Sequence, residues 1–381
     1  MTAIYLDNNA TTAIDPVVRE QMLPWLGERV GNPSSIHSFG LEARRAIDKA
    51  RVSVARLVGA QPDEILFTGG GTEADNLAIL GAAGASTRTG PRIATTAIEH
   101  QAVLKPCRYL AGTGCALTIL PVGIDGLLNA GEADSALQED TLLVSVMLAN
   151  NDIGTIQPVG ELSALLKKRG ILLHTDAVQA AGKIPVDVTA LGVDLLSLSA
   201  HKLHGPQGVG ALYLRKGTRL SPRSYGGHQE KGLRPGTENV AAIVGFGKAC
   251  EIARERLQAD AARVETLRIF FENAVRERVE GVSINGRGAP RLPNTSNISF
   301  ENIDGETLAI NLDLLGVAVS TGAACSSSEN EPSHVLVAMG QSQRQARSSV
   351  RFSFGRDNSR EDAERAVELV VKAVESIRAN R

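Results

Sequence analysis

Four times between residues 92 and 202 a short apolar run stops at a cluster of polar residues. Arg92-Ile-Ala-Thr-Thr-Ala-Ile98 runs into Glu99-His100, and Leu142-Leu-Val-Ser-Val-Met-Leu148 into Asn150-Asn151-Asp152. Ile171-Leu-Leu-His-Thr175 leads to Asp176 and Gln179, and Asp194-Leu-Leu-Ser-Leu198 to Ser199, His201 and Lys202. Segments between them, such as residues 158–169, carry a helical pattern. Strands alternating with helices specify a mostly parallel sheet with both faces covered, and such sheets bind ligands beyond the carboxyl ends of their strands. An earlier strand, Glu64-Ile-Leu-Phe67, supplies a further end, followed by Thr68-Gly-Gly-Gly71-Thr72-Glu73-Ala-Asp75-Asn76 and an apolar helix. Thr72, His100, Asn150, Asp176, Gln179 and Lys202 are therefore expected to converge on one crevice.

Taken singly, each residue has a plainer reading. A histidine after a strand is commonly a loop residue, Asp176 can cap the segment that follows it, and Asn150-Asn151 is a turn former. Hydroxyl, imidazole, amide, acid and amine groups at successive strand ends describe a ligand site better than five coincidences do. Consecutive glycines ahead of a helix let backbone N–H groups converge, a cradle for phosphate. The loop is neither a Walker A nor a G-x-G-x-x-G sequence, and no lysine follows its glycines, which disfavours a nucleoside triphosphate. Lys202 stands where a strand stops before the broken turn His204-Gly205-Pro206-Gln-Gly208, after which Val209-Gly-Ala-Leu-Tyr-Leu214 resumes the apolar pattern. An ammonium wedged there finds a partner, turns to solvent or loses its proton, and the last outcome gives an amine that attacks carbonyls.

The remainder of the 381 residues suits a second, smaller unit. Residues 41–58 form an amphipathic helix, residues 223–239 a glycine-rich loop too long for a connector, and residues 240–280 a helix, with room for one break, linking two domains. Beyond Gly281, strand-like Thr295-Ser-Asn-Ile-Ser-Phe300 and Val317-Ala-Val319 alternate with helices, and Ser359-Arg-Glu-Asp362 is a capping-box pattern ahead of the last one. A net charge of −2 gives no basic footprint for nucleic acid, no run is long and apolar enough to cross a membrane, and the first residues lack a leader pattern, so a cytoplasmic protein is expected. The cysteines at 107, 115, 250 and 325 have no paired spacing, which argues against a disulfide framework and against a metal site. Cys107, Cys115 and Cys250 fall in helix, loop and helix as small hydrophobes. Cys325 differs, because small polar residues with no apolar period surround it and leave it available for chemistry.

Lys202 after Ser199-Ala-His201, Asp176-Ala-Val-Gln179, Glu99-His100, Gly70-Gly-Thr72-Glu73, Gly236-Thr237-Glu-Asn239 and Thr321-Gly-Ala-Ala-Cys325 together resemble the cysteine desulfurases. These are pyridoxal-phosphate enzymes of the class V aminotransferase group, and the resemblance is to the nitrogen-fixation and iron-sulfur-assembly branch. It runs from Tyr5-Leu-Asp-Asn-Asn-Ala-Thr-Thr12 to Val350-Arg351-Phe-Ser-Phe-Gly355. It implies an α/β fold of the aspartate aminotransferase-like type I, with a large, mostly parallel seven-stranded domain over residues 16–245. A small α+β domain over 1–15 and 246–381 would carry the Cys325 loop.

The same resemblance implies roles. Lys202 would hold pyridoxal 5'-phosphate covalently, Asp176 would face its pyridinium nitrogen, His100 would stack on the ring and shuttle protons, and Gln179 would bond the phenolic oxygen. Gly71, Thr72, Ser199 and His201 would hold the phosphate, joined by Thr237 from the neighbouring subunit of a homodimer. Asn150 would lie between cofactor and substrate, and Asn32 and Arg351 would take the carboxylate of L-cysteine. Cys325 would be the nucleophile that collects sulfur as a persulfide, leaving L-alanine, for transfer to an acceptor or scaffold protein. A selenocysteine or cystine lyase, or a class V aminotransferase, would share Lys202 and Asp176 without needing Cys325, and a non-catalytic binding protein on this fold would need none of them. The sequence has Ala200 and Ala323 where the family often has glycine and serine, and it stops soon after its last helix, without the extension by which housekeeping members dock a scaffold.

Overall fold

The structure is a computed structural model that describes residues 3–321 and 332–379. A short strand β1 (Ile4–Tyr5) precedes the expected alternation, which gives β2 (Ile65–Thr68), β3 (Arg92–Thr96), β4 (Ala116–Leu120), β5 (Thr141–Ser145), β6 (Leu172–Asp176), β7 (Leu195–Ser199) and β8 (Gly210–Leu214). β2 to β8 form one seven-stranded sheet in the order β2-β8-β7-β6-β5-β3-β4. β7, β6, β5, β3 and β4 run parallel, while β8 is antiparallel to both β7 and β2. Every residue of β2 and β7 is buried, the signature of strands covered on both faces. The run through residues 194–214 is thus a strand, a loop and a returning strand, with Lys202 just past the carboxyl end of β7.

A second sheet pairs β9 (Val282–Asn285), β10 (Thr295–Phe300) and, after the two-residue strand β11 (Val317–Ala318), β12 (Ser349–Ser353), antiparallel in the order β12-β10-β9. β11 pairs in parallel with β1, so the chain's first strand belongs spatially to this smaller unit. Two apolar cores follow the same division. One gathers Ile47, Val54, Phe67, Val144, Leu196 and Phe246, and the other Ile4, Leu6, Phe271, Phe300, Phe352 and Val370. The helix Val240–Arg278 begins in the first core with Phe246 and Cys250 and ends in the second with Phe271 and Val275. It runs unbroken, because from Lys248 onward it contains neither glycine nor proline and consists mainly of strong helix formers.

Two helix starts show how local chemistry sets the boundaries. Before the helix Arg360–Ala379, the Asp362 N–H donates to Ser359 Oγ (3.0 Å) while the Ser359 N–H donates to Asp362 Oδ2 (2.9 Å), the reciprocal pair the sequence pattern predicts. The helix Pro16–Leu26 was not legible as an apolar stripe. It is begun by Asp15, whose Oδ1 accepts from the Val17 N–H (2.7 Å), and by a proline at its first position.

The smaller unit holds a buried charge cluster whose members pair with one another. Glu272 accepts from Arg291 at 2.8 and 3.0 Å and from Arg268 Nη1 at 3.2 Å, with all three side chains at most 7% exposed. The buried thiol of Cys107 is pushed up to about 12 by burial, and that of Cys250 is also well above the usual thiol range, as befits structural thiols. Among the described residues no helix is long and apolar enough to cross a membrane, and no cluster of side chains is arranged to hold a metal.

Candidate active site

The carboxyl ends of β6 and β7 carry the centre of the site. After Ser199 the chain makes one tight turn, Ala200–Lys202, and Gly205 then passes so close to it that a Cβ there would lie 2.9 Å from the Ala200 carbonyl oxygen. Lys202 Nζ donates to the carbonyl oxygens of Asn9 (2.6 Å) and Ala10 (2.5 Å). Its neighbour His201 places Nδ1 3.1 Å from Thr11 Oγ1, and burial with the nearby Lys202 and Lys183 charges lowers its pKa to about 4, so it stands neutral.

Asp176 ends β6, and its Oδ1 accepts from the Val178 N–H at 2.9 Å. Burial raises its pKa, while the charges of His100 and Lys202 pull in the opposite direction. One buried carboxyl group thus sits within electrostatic reach of both candidate bases. His100 caps the helix Gln101–Gly112, with Nδ1 accepting from the Ala102 N–H (3.1 Å), so its exchangeable proton belongs to Nε2. Beneath Asp176, His174 is flanked by Ser145 Oγ at Nδ1 (2.7 Å) and Ser197 Oγ at Nε2 (3.0 Å), with Asp75 Oδ1 3.5 Å from Nε2. Burial drives His174 down to about 3 and Asp75 well above the carboxylate range, the latter helped by the Asp176 charge. Glu99, also buried, is pushed up to about 8 even though it accepts from Thr96 Oγ1 (2.6 Å) and the Met147 N–H (3.0 Å).

Beside this floor opens a pocket lined by Gly69, Gly70, Gly71, Thr72, Ser199 and His201, at the start of the helix Gly71–Ala85. The glycine turn is pressed against β8, where a Cβ on Gly210 would lie 2.6 Å from the Gly70 carbonyl carbon. A Cβ on Gly71 would fall 2.7 Å from Val178 Cγ2, so only glycine leaves the turn in contact with the segment after Asp176. Helix N–H groups, two hydroxyls and a neutral imidazole around an open pocket, with an amine and a buried carboxyl group beside it, fit the phosphate and ring of pyridoxal phosphate.

Of the other expected residues, Gln179 donates from Nε2 to the Asn9 carbonyl (3.0 Å) and lies in the same cluster. Asn150 is fully buried with its side chain committed to the fold, Nδ2 donating to the Ile98 carbonyl (2.9 Å) and Oδ1 accepting from the Asp152 and Ile153 N–H groups (2.8 and 3.0 Å). Arg351 projects from β12, donating to Asp7 Oδ1 (2.8 Å) and the Asn151 carbonyl (3.1 Å) and leaving its Nε buried with no hydrogen-bond partner. Such an orphan donor suits an incoming carboxylate. Asn32 is exposed, its Oδ1 accepting from the Ser34 N–H (2.9 Å), and Thr237 is exposed on its loop and does not line the glycine-turn pocket of its own chain. Cys325 lies outside the described residues. The chain leaves for it from Ser320, whose N–H donates to the Arg351 carbonyl (3.2 Å) and whose carbonyl accepts from the Arg351 N–H (2.7 Å). It returns through His334, whose Nε2 meets the Glu99 carbonyl at 2.9 Å.

The sequence reading missed Asn9. Its Oδ1 accepts from Lys183 (3.1 Å) and Asn294 (2.9 Å), its Nδ2 donates to Thr295 Oγ1 (2.8 Å) and the Asn151 carbonyl (3.1 Å), and its carbonyl takes Gln179 and Lys202. The available signal was the polar run Asp7-Asn8-Asn9 directly after a strand, the pattern that located the other residues.

Residues 4–366 match the family model for aminotransferase class-V. A protein from Dictyoglomus turgidum described as the cysteine desulfurase IscS is 49% identical over 375 residues, covering 98% of this chain and 95% of that one. A solved structure of a NifS-like protein superposes with a TM-score of 0.92 at 40% identity, covering 98% of this chain and all of its own. One described as SspA in complex with cysteine superposes at 0.81 with 35% identity, covering 92% of this chain and 98% of its own.

Proposed function

The chain belongs to the class-V aminotransferase family and has the fold type I architecture, and from that premise we propose that it is a cysteine desulfurase working through pyridoxal phosphate, Lys202 and Cys325. The observation that carries this reading is the placement of Asp176. It is buried at a strand end within reach of the His100 and Lys202 charges, beside the pocket at the glycine turn.

Gly71, Thr72, Ser199 and His201 would hold the phosphate, and Asp176 would hold the ring by its nitrogen. The chemistry that pyridoxal phosphate would supply there is an electron sink for the substrate. Arg351 directs its unpartnered Nε to the carboxylate of L-cysteine, and Asn32 contributes a second polar contact. Asn150 acts from behind, as a positioning residue that joins the Glu99-His100 end to the turn at 150–153. Lys202 removes the α-proton, for which it must stand as a free amine. His100, locked as an acceptor at Nδ1, moves a proton at Nε2.

Cys325, as thiolate, attacks the substrate sulfur. The new S–S bond forms as the substrate C–S bond breaks, and the carbon left behind takes a proton, so that L-cysteine and the enzyme thiol become L-alanine and an enzyme persulfide. An acceptor protein then takes the outer sulfur. In a homodimer, Thr237 of each chain completes its neighbour's phosphate site, in keeping with its exposure on its own chain.

The test pairs two readouts on one variant. Cys325→Ala should retain the borohydride-reducible adduct at Lys202 and lose sulfide release from L-cysteine. Undiminished sulfide release from that variant refutes the persulfide route, and the absence of any adduct in the unaltered protein refutes the cofactor.

A further inference from the structure

Lys183 has no part in the roles described so far, yet its amino group reaches the centre of the site. The backbone turns at Gly182 (φ 73°) and packs there so tightly on Leu203 that a Cβ would lie 2.5 Å from Leu203 Cδ2. The turn brings Lys183 beside Lys202, where Lys183 Nζ donates to Gln179 Oε1 at 2.7 Å and to Asn9 Oδ1 at 3.1 Å. We propose that Lys183 is a positioning residue for the reaction, fixing the orientation of the Gln179 amide so that its NH₂ group faces the Lys202 side of the site. The inference rests on the cofactor reading above.

The geometry carries it from two directions. The Asn9 carbonyl can only accept, so the Gln179 atom 3.0 Å from it is the NH₂ nitrogen. On the opposite side of the amide the Lys183 amine donates, so the atom 2.7 Å from it is the oxygen. Both contacts demand the same orientation of the amide, so losing Lys183 removes one of two restraints against the flipped form. Asn9 is shared by both lysines, Lys202 holding its carbonyl and Lys183 its side-chain oxygen. With one amide hydrogen on the Asn9 carbonyl, the second is the donor that Gln179 offers to an oxygen of the bound ring.

Among the described residues no carboxylate is a hydrogen-bond partner of Lys183. Lys202, His201 and Arg351 surround it on the site side. Asp260, His204 and Arg356 share with it the lining of a cavity between the two units. Asp260 is committed to Arg256 at 3.1 and 3.2 Å, and both Arg351 and Arg356 have aspartate partners of their own. Burial, with the Lys202 and Arg351 charges, holds the Lys183 amine well below the usual lysine range. Charged or neutral, the amine keeps a hydrogen for Gln179 Oε1.

The experiment follows the visible absorption of the protein reconstituted with pyridoxal phosphate as a function of pH. In Lys183→Met the freed amide can turn its oxygen toward the ring oxygen, which favours protonation there, so the midpoint of the absorption change should rise by about one pH unit. Lys183→Gln keeps an uncharged donor and should stay near the unaltered protein, and Lys183→Met placed on Gln179→Leu should add little further shift. An unchanged midpoint in Lys183→Met, with an unaltered thermal melt, overturns the proposal. So does an equal shift in both backgrounds, or a full shift in Lys183→Gln, since each means that charge acts directly rather than through the amide. If Lys183→Met fails to fold, Lys183→Ala, which also lacks a donor, takes its place by the same criterion. No visible band in the unaltered protein removes the cofactor reading and this inference with it.

Discussion

Two regions of this molecule bury ionisable side chains, and they treat them in opposite ways. In the smaller unit Glu272 lies between Arg268 and Arg291, and although burial pushes its carboxyl group up, the Arg291 hydrogen bond and the two guanidinium charges prevail and hold it below the usual range. In the larger unit Glu99 after β3, Asp75 in the helix Gly71–Ala85 and Asp176 at the end of β6 have no arginine partner among the described residues, and burial drives all three upward. The first arrangement locks a structure. The second keeps protons and charges available, which is what a reaction centre needs and what a stable core avoids.

The sharpest way to break this contrast is Asp176→Asn. If the site is held for chemistry, sulfide release from L-cysteine should fall by roughly 10²–10⁴-fold, while the urea midpoint stays level or rises because a poorly compensated buried carboxyl group has gone. Glu272→Gln should do the reverse. Two buried guanidiniums lose their counter-charge, for a cost of about 3–5 kcal/mol, with turnover per folded molecule unchanged. Equal losses of stability in the two variants would erase the distinction.

A finer test uses pH. The carboxyl group of Glu99 sits at about 8 in the fold against 4.5 for a free glutamate. The unfolded chain therefore loses this proton first, so the contribution of Glu99 to stability is complete below about 4.5 and declines as pH rises toward about 8. Thermal melts across that window should show the decline, and Glu99→Gln should flatten it. Glu272 has the opposite sign, contributing above the ordinary glutamate value and losing that contribution as acid lowers the pH through its depressed one. The smallest effect is expected from Glu42→Gln at an exposed pair with Arg29, about half of each side chain being in water. Denaturant titration should detect a change of no more than about 0.5 kcal/mol.

How much of this was legible in the chain follows from how local each signal is. An apolar run ending at polar residues is a property of five to ten consecutive positions, and it placed β6, β7, Asp176 and Lys202 correctly. The break allowed in the helix Val240–Arg278 was not used, since periodicity alone cannot distinguish one helix crossing between two cores from two helices each packed on its own. For Asn9 the polar run after β1 marked the place but could not reveal its role. Its partners Asn151, Gln179, Lys183, Lys202, Asn294 and Thr295 come from both units and lie far along the chain, so no window of sequence contains the information. Lys183 was passed over likewise, because a lysine after a glycine reads as surface until the fold turns its amine inward.

The placement of β1 has a mechanical consequence. It adds to β11 in the smaller unit, and within a few residues the same strand of chain delivers Asn9 and Ala10 to Lys202 in the larger one. The opening segment is a tie rod between the two bodies, and any swing of one against the other pulls on the carbonyls that hold the lysine. Cutting the chain after Ala10 would delete no group that performs chemistry. It would still take away the two carbonyls to which the Lys202 amine donates and one of the ties between the two bodies.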